Sequence, residues 1–148
     1  MKVLFIAAFP PPVHGSALVS QYLVKLIETR FDIHRINIGS QDVLSNYNSS
    51  TFQKLVFGIF KLIRIVFNIP KDCDKVYFTP AVNGLPFWRD IILLYFIKVK
   101  NPKAAVLLHM HNKGLEKSAN KRRVFNYLTE NSVVIVLTKK LSSPYKNC

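Results

Sequence analysis

Apolar and polar positions along the chain switch repeatedly between two periods. Residues 2–9 form an apolar run rich in Val, Phe and Ile. Pro10, Pro11 and Pro12 end it, because proline lacks a backbone N–H and fixes φ. Past His14 and Gly15, Ser16 reads as a helix N-cap, and Leu18, Val19, Tyr22, Leu23, Leu26 and Ile27 recur at helical spacing. Residues 31–38 alternate as a second strand that stops at Gly39, and residues 40–50 are a polar loop rich in Asn and Ser. Residues 52–68 read as a helix whose Phe52, Leu55, Val56, Ile59, Phe60, Ile63, Val66 and Phe67 form one apolar stripe, ended by Pro70. A third strand over 75–79 stops at Pro80, Asn83-Gly84 marks a turn, and a second apolar helix covers 85–100. Residues 104–109 are apolar at consecutive positions, as in a strand covered on both faces. A polar, basic helix over 116–129, a fifth strand over 133–138 and the opening turn of one more helix from 139 complete the pattern.

Strands that alternate with helices in this way predict an α/β fold: a doubly wound, parallel, five-stranded, Rossmann-like sheet. Right-handed crossovers then place helices on both faces. The consecutive apolar residues of the first strand predict a central place for it, in a strand order 3-2-1-4-5. A chain of 148 residues has room for one domain with a full core. Lys2, the apolar run and Gly15-Ser16-Ala17 imitate the three regions of a signal peptide, but the triple proline and the immediate helix fit a buried first strand better. No segment reaches the roughly 18 uninterrupted apolar residues of a spanning helix.

Charge narrows the partners. The chain has 21 Lys and Arg against 8 Asp and Glu, a net charge of +13. That balance favours phosphorylated ligands, nucleic acid or an anionic membrane. The cations are scattered, and no nucleic-acid motif or interleaved aromatic and basic platform occurs, so nucleic acid is not an expected partner. Cys73 and Cys148 lie far apart, which fits neither a disulfide framework nor a metal site and agrees with a reducing cytosol. Asn48-Ser49-Ser50 matches a glycosylation acceptor, which has no bearing on a cytosolic chain. The helix over 52–68 also has a basic side, with Lys54, Phe57, Lys61 and Arg64 beside Leu62 and Ile65. Two readings stand for it: a surface that lies on an anionic bilayer, and a core helix with a solvated cationic edge. Trp88-Arg89 near Phe87 is a second candidate interfacial anchor.

Polar groups fall at the predicted strand ends, which converge on one crevice in this architecture. They are His14, Gly15 and Ser16 after the first strand, Thr79 after the third, His109 and His111 at the fourth, and Thr138 after the fifth. Gly15 lets backbone approach a ligand closely, and the helix that follows offers free N–H groups to an anion. His14 also reads as a plain turn residue. Strand alternation puts His109 and His111 on one face, either as buried, hydrogen-bonded structural histidines or facing a substrate. No Cys, Asp or Glu cluster turns His109-Met110-His111 into a metal site.

Several of these segments resemble one family. Lys2-Val-Leu-Phe-Ile6 with Pro10-Pro11-Pro12-Val13-His14-Gly15-Ser16-Ala17 is similar to the opening of retaining GT-B glycosyltransferases that use nucleotide sugars. Phe78 to Gly84, Phe87-Trp88-Arg89-Asp90 and Leu107 to Gly114 resemble the middle of that amino-terminal domain, and Val133 to Thr138 its last strand. The nearest flavour is the bacterial surface-polysaccharide branch, which builds capsule, O-antigen or exopolysaccharide on a lipid carrier. The resemblance implies an acceptor-side domain, with His14, Gly15 and Ser16 approaching the donor diphosphate; the family has Gly-Gly where this chain has His-Gly. It implies His111, in preference to His109, as the cleft histidine that contacts the sugar or the developing charge without acting as a nucleophile. It also implies a nucleotide-sugar co-substrate, a lipid-linked saccharide acceptor and a cytoplasmic place, peripheral on the inner face of the cell membrane. The family's carboxy-terminal domain carries the nucleotide pocket and a glutamate pair, and Glu28, Glu116 and Glu130 stand in no such setting. The expectation is therefore a chain that is catalytically incomplete alone: a fragment, a truncated frame, or one half of an enzyme whose donor domain is a separate chain. The rival reading is a non-catalytic Rossmann-like or flavodoxin-like module that binds an anionic ligand.

Overall fold

The structure, a computed structural model, describes residues 1–39, 51–111, 115 and 118–137, apart from the side chains of residues 51, 54 and 55. Expectations for residues 40–50, Glu116, Thr138 and 139–148 lie outside the described residues. In chain order the elements are β1 (Lys2–Ala7), α1 (Gly15–Ile27), β2 (Asp32–Asn37), α2 (Thr51–Asn68), β3 (Lys75–Phe78), α3 (Gly84–Lys100), β4 (Ala105–Met110), α4 (Ala119–Thr129) and β5 (Val133–Val136). The five strands form one parallel sheet, and helices cover both faces.

The strand order corrects the expectation. It is β2-β1-β3-β4-β5, so β3 holds the middle and β1 lies between β2 and β3. The reason is visible in side-chain chemistry. β2 carries Asp32, His34 and Arg35, and four of its six positions are exposed. Such a strand is tolerated at a sheet edge, where its charges also discourage pairing with another chain. β3 buries Val76 and Phe78 completely and needs neighbours on both sides. The chain therefore crosses back over β1, and Val3 to Ile6 pair with Lys75 to Phe78.

The two faces are unequal. Leu4 and Ile6 of β1, Val76 and Phe78 of β3 and Val106, Leu108 and Met110 of β4 point to the face covered by α2, α3 and α4. Phe5 and Ala7 point to the opposite face, where Val24, Leu23 and Ile27 of α1 join them with Ile33 and Tyr77. Burial of the main cluster is the chief driving force, at about 1.5–3 kcal/mol for each fully buried Leu, Ile or Phe.

Two local expectations also change. The N-cap of α1 is His14, not Ser16: its Nδ1 accepts from the Ala17 N–H at 3.2 Å. The apolar stripe expected on α2 faces mostly outward. Ile65 is buried, with Leu62 and Val66 packed against the same cluster, while Phe52, Ile59, Phe60, Ile63 and Phe67 are exposed. Periodicity along this helix selects the whole apolar stripe as the core side, but only its Leu62, Ile65 and Val66 edge meets the core. Polar anchors fix its rotation instead: Lys61 Nζ donates to the Gly39 carbonyl at 2.6 Å, and Lys100 Nζ from α3 donates to the Val66 carbonyl at 2.6 Å. Among the described residues, no helix is long and apolar enough to cross a membrane.

Candidate functional site

The order β2-β1-β3-β4-β5 creates a switch point between β1 and β3. The chain leaves β1 toward α1 on one face and leaves β3 toward α3 on the other. Loops that part in this way open a crevice at the carboxyl edge, where open α/β sheets take ligands. The loop from β1 contains Pro10, Pro11 and Pro12, with cis peptide bonds between them. Asn37 holds this loop to the end of β2, its Oδ1 accepting from Phe9 N–H at 3.2 Å and from Gly39 N–H at 2.8 Å.

At the start of α1, the Nδ1 of His14 lies 3.0 Å from Ser16 Oγ as well as capping Ala17. Its Nε2 is left for any other partner. A Cβ added to Gly15 would meet nothing within 4 Å, so the space beside that backbone is open. The helix N-terminus supplies partial positive charge there. Thr79 donates its N–H to the Ile6 carbonyl at 3.1 Å and extends the β1–β3 pairing.

One strand further along, an aromatic row runs over the α1 face of the sheet. Phe5 stacks on Tyr77 at 4.3 Å between centroids, Tyr77 meets His109 edge-on at 5.9 Å, and His109 lies 4.1 Å from His111. The shared face expected for the two histidines is thus observed. The Tyr77 hydroxyl is 2.5 Å from His109 Nδ1. His109 is buried, and the Nε2 atoms of both histidines are out of water with no hydrogen-bond partner among the described residues. Burial holds both imidazoles below the ordinary histidine range, and proximity to His109 adds to the effect at His111. Burial pushes the Tyr77 hydroxyl up to about 12. The pair is therefore neutral at pH 7, suited to hydrogen bonding and proton transfer more than to holding a fixed positive charge.

Asp90 braces the crevice from the opposite face. It is buried, accepts the Ala81 N–H at 2.8 Å and binds Arg89 Nε at 2.7 Å. Arg89 also reaches the Ile38 carbonyl at 3.1 Å, so it ties the ends of β2 and β3 together instead of facing a lipid. Burial raises the Asp90 carboxyl against the opposing pull of Arg89 and Ala81. A recess between Pro80, Ala81, Phe87, Asp90 and Phe125 is too tightly packed to admit a ligand.

The structure thus gathers His109 with His111, and His14 with Gly15 and Ser16, at the same edge of the sheet. The two groups stay apart, since β3 separates β1 from β4. Tyr77 and Asp90 were not singled out by the sequence as partners of these groups. Tyr77 stands opposite Leu107 in the β3–β4 register and reaches past it to His109, a relation that exists only once β3 and β4 pair. No protein-family model matches the chain, and neither a curated protein nor a solved structure matches it.

Proposed function

We propose that this chain is the acceptor-side domain of a retaining GT-B glycosyltransferase for bacterial surface polysaccharide, which passes a sugar from a nucleotide sugar to a lipid-linked acceptor at the cytoplasmic side of the membrane. The observation that carries the reading is the placement of the capped N-terminus of α1 and the neutral His109–His111 pair along one carboxyl edge of a parallel sheet. In this reading the N-terminus of α1 meets the growing charge on the leaving diphosphate, as preorganised donors must. His111 contacts the transferred sugar, and Tyr77 and His109 orient it. Aligning donor with acceptor supplies much of the rate in such reactions, and one wall of a cleft cannot hold both. The donor-binding half must come from another domain or chain.

The strand order favours a second reading. A 2-1-3-4-5 sheet is the flavodoxin-like arrangement, which binds a phosphorylated ligand at its β1/β3 switch point. Such a module would need no partner chain to bind its ligand.

One experiment separates the two. The purified chain is assayed with a panel of nucleotide sugars and lipid-diphosphate acceptors, with and without the product of the adjacent downstream frame, and titrated in parallel with nucleotides and flavin mononucleotide by calorimetry. Transfer only in the presence of the second chain, lost in His111→Ala, supports the transferase. Tight flavin or nucleotide binding by the chain alone, without transfer in either mixture, replaces it with the binding module.

A further inference from the structure

α2, α3 and α4 lie side by side on one face of the sheet, and the outward sides of α2 and α3 are unusually apolar. Phe60 and Phe67 of α2 are 66% and 80% exposed, with Ile63 between them at 46%. On α3, the middle helix, Trp88, Ile92, Tyr95 and Val99 are all exposed. Their spacing aligns them along the side opposite the buried Phe87, Leu94 and Ile97. Single exposed apolar residues are ordinary, but two neighbouring stripes of large ones mark an interface.

Charge identifies what meets it. The three helices contain one acidic residue, Asp90, and it is buried. Arg64 of α2 and Arg122 and Arg123 of α4 are exposed on the same layer. The other described acids, Glu28, Asp32, Asp72, Asp74 and Glu130, lie before the strands at the amino edge of the sheet or at the end of α1. An apolar stripe with cations at its margins and no exposed carboxylate among the described residues of its helices complements an anionic bilayer. It complements a second copy of itself poorly, because two such layers would bring like charges together.

We propose that the outer surface of α2 and α3 is a docking surface for an anionic lipid bilayer, with Phe60, Phe67, Trp88 and Tyr95 entering the boundary between headgroups and acyl chains. Arg64, Arg122 and Arg123 sit over the lipid phosphates. This surface differs from the basic side expected on α2, because Lys61 is turned to the Gly39 carbonyl. The inference uses only the helix layer and does not depend on the sugar-transfer reading.

Trp88 is the only tryptophan of the chain and reports on this surface directly. The full chain is mixed with vesicles of phosphatidylcholine alone or with phosphatidylglycerol, some carrying brominated acyl chains, across a salt series. Binding is expected only to the anionic vesicles, with Trp88 quenched by the brominated lipid. Affinity is expected to fall about tenfold or more as salt rises from low to high, as screening requires. Phe60→Ser with Phe67→Ser should cut binding about tenfold by removing buried apolar area, with circular dichroism and Tm unchanged because both rings are exposed. Arg64→Glu should weaken it further. Binding without Trp88 quenching, binding indifferent to these substitutions, or binding equal on neutral vesicles overturns the proposal. So does a dimer in sedimentation equilibrium that the same substitutions dissociate, with no vesicle binding.

Discussion

The Tyr77 hydroxyl lies 2.5 Å from Nδ1 of His109, in hydrogen-bond contact between β3 and β4. Burial keeps this hydroxyl protonated to about pH 12, so it carries a proton to give to that nitrogen. Donation to Nδ1 satisfies it and leaves the proton of neutral His109 on Nε2. A phenol on β3 thereby sets the tautomer of an imidazole on β4, beside His111.

Tyr77→Phe keeps the stack on Phe5 and deletes only the donor. The variant should lose about 0.5–1.5 kcal/mol of stability, the ordinary net worth of such a bond. Nitrogen-15 spectra of the imidazoles should show His109 changing from a single tautomer to a mixture, and its pKa should rise, because the bond favours the neutral ring. Unchanged His109 nitrogen shifts would rule out the assigned tautomer.

Stability should fall as the solution is acidified through the histidine range. His109 and His111 titrate below the ordinary value of 6.5 in the folded chain, so the unfolded chain binds more protons there. The loss begins near pH 6.5, grows toward the lower folded values and is absent at pH 8. His109→Gln should flatten this part of the profile. Urea unfolding midpoints measured from pH 8 to pH 5 check it, and a midpoint constant over that span contradicts it.

Asn101 clamps the entry to β3. It is 3% exposed, its Oδ1 accepts from the Cys73 N–H at 2.8 Å, and its Nδ2 donates to the Pro70 carbonyl at 3.0 Å. Asn101→Ala strands a buried donor and acceptor and should cost about 1–3 kcal/mol. Thermal melting should register it as a drop of roughly 2–4 °C per kcal/mol for a chain near this size. Asn101→Asp keeps the acceptor for Cys73 but sets a buried carboxylate oxygen against the Pro70 carbonyl, and should cost at least as much at neutral pH.

His14 has two separable duties. His14→Ala removes the cap of α1 and should lower stability by about 0.5–1 kcal/mol, while His14→Asn should restore it, since asparagine is among the best caps. If the imidazole also meets ligand, activity in the transfer and binding assays proposed above falls in both variants. Full activity of His14→Asn in those assays would confine the residue to capping.

Gly84 opens α3 with φ +68, a conformation that costs a side-chain-bearing residue about 1 kcal/mol or more. Gly84→Ala should therefore destabilise by that amount through backbone strain, because its added Cβ would meet Pro86 Cδ only at an ordinary 3.5 Å. A Tm equal to that of the native chain would refute the strain.

Period and punctuation in the chain were enough to define the elements and the fold class. Val3 to Ala7 are apolar at every position and end at prolines, which local sterics alone read as a buried strand. The candidate residues at strand ends were equally legible, because parallel strands that alternate with helices bring their carboxyl ends to one edge. Strand order was not legible in the same way. Crossover handedness allows β3 beside β1 or beyond β2, and the decision came from which strand must hide Val76 and Phe78 and which can leave Asp32 and Arg35 in water. The rotation of α2 was undecided for a related reason: an apolar stripe broader than the core contact does not say which of its edges is buried until Lys61 and Lys100 find carbonyls. The Tyr77–His109 bond belongs wholly to the tertiary structure. Its partners are 32 residues apart and two register positions out of line, and only the packing of β3 against β4 brings a hydroxyl to that nitrogen.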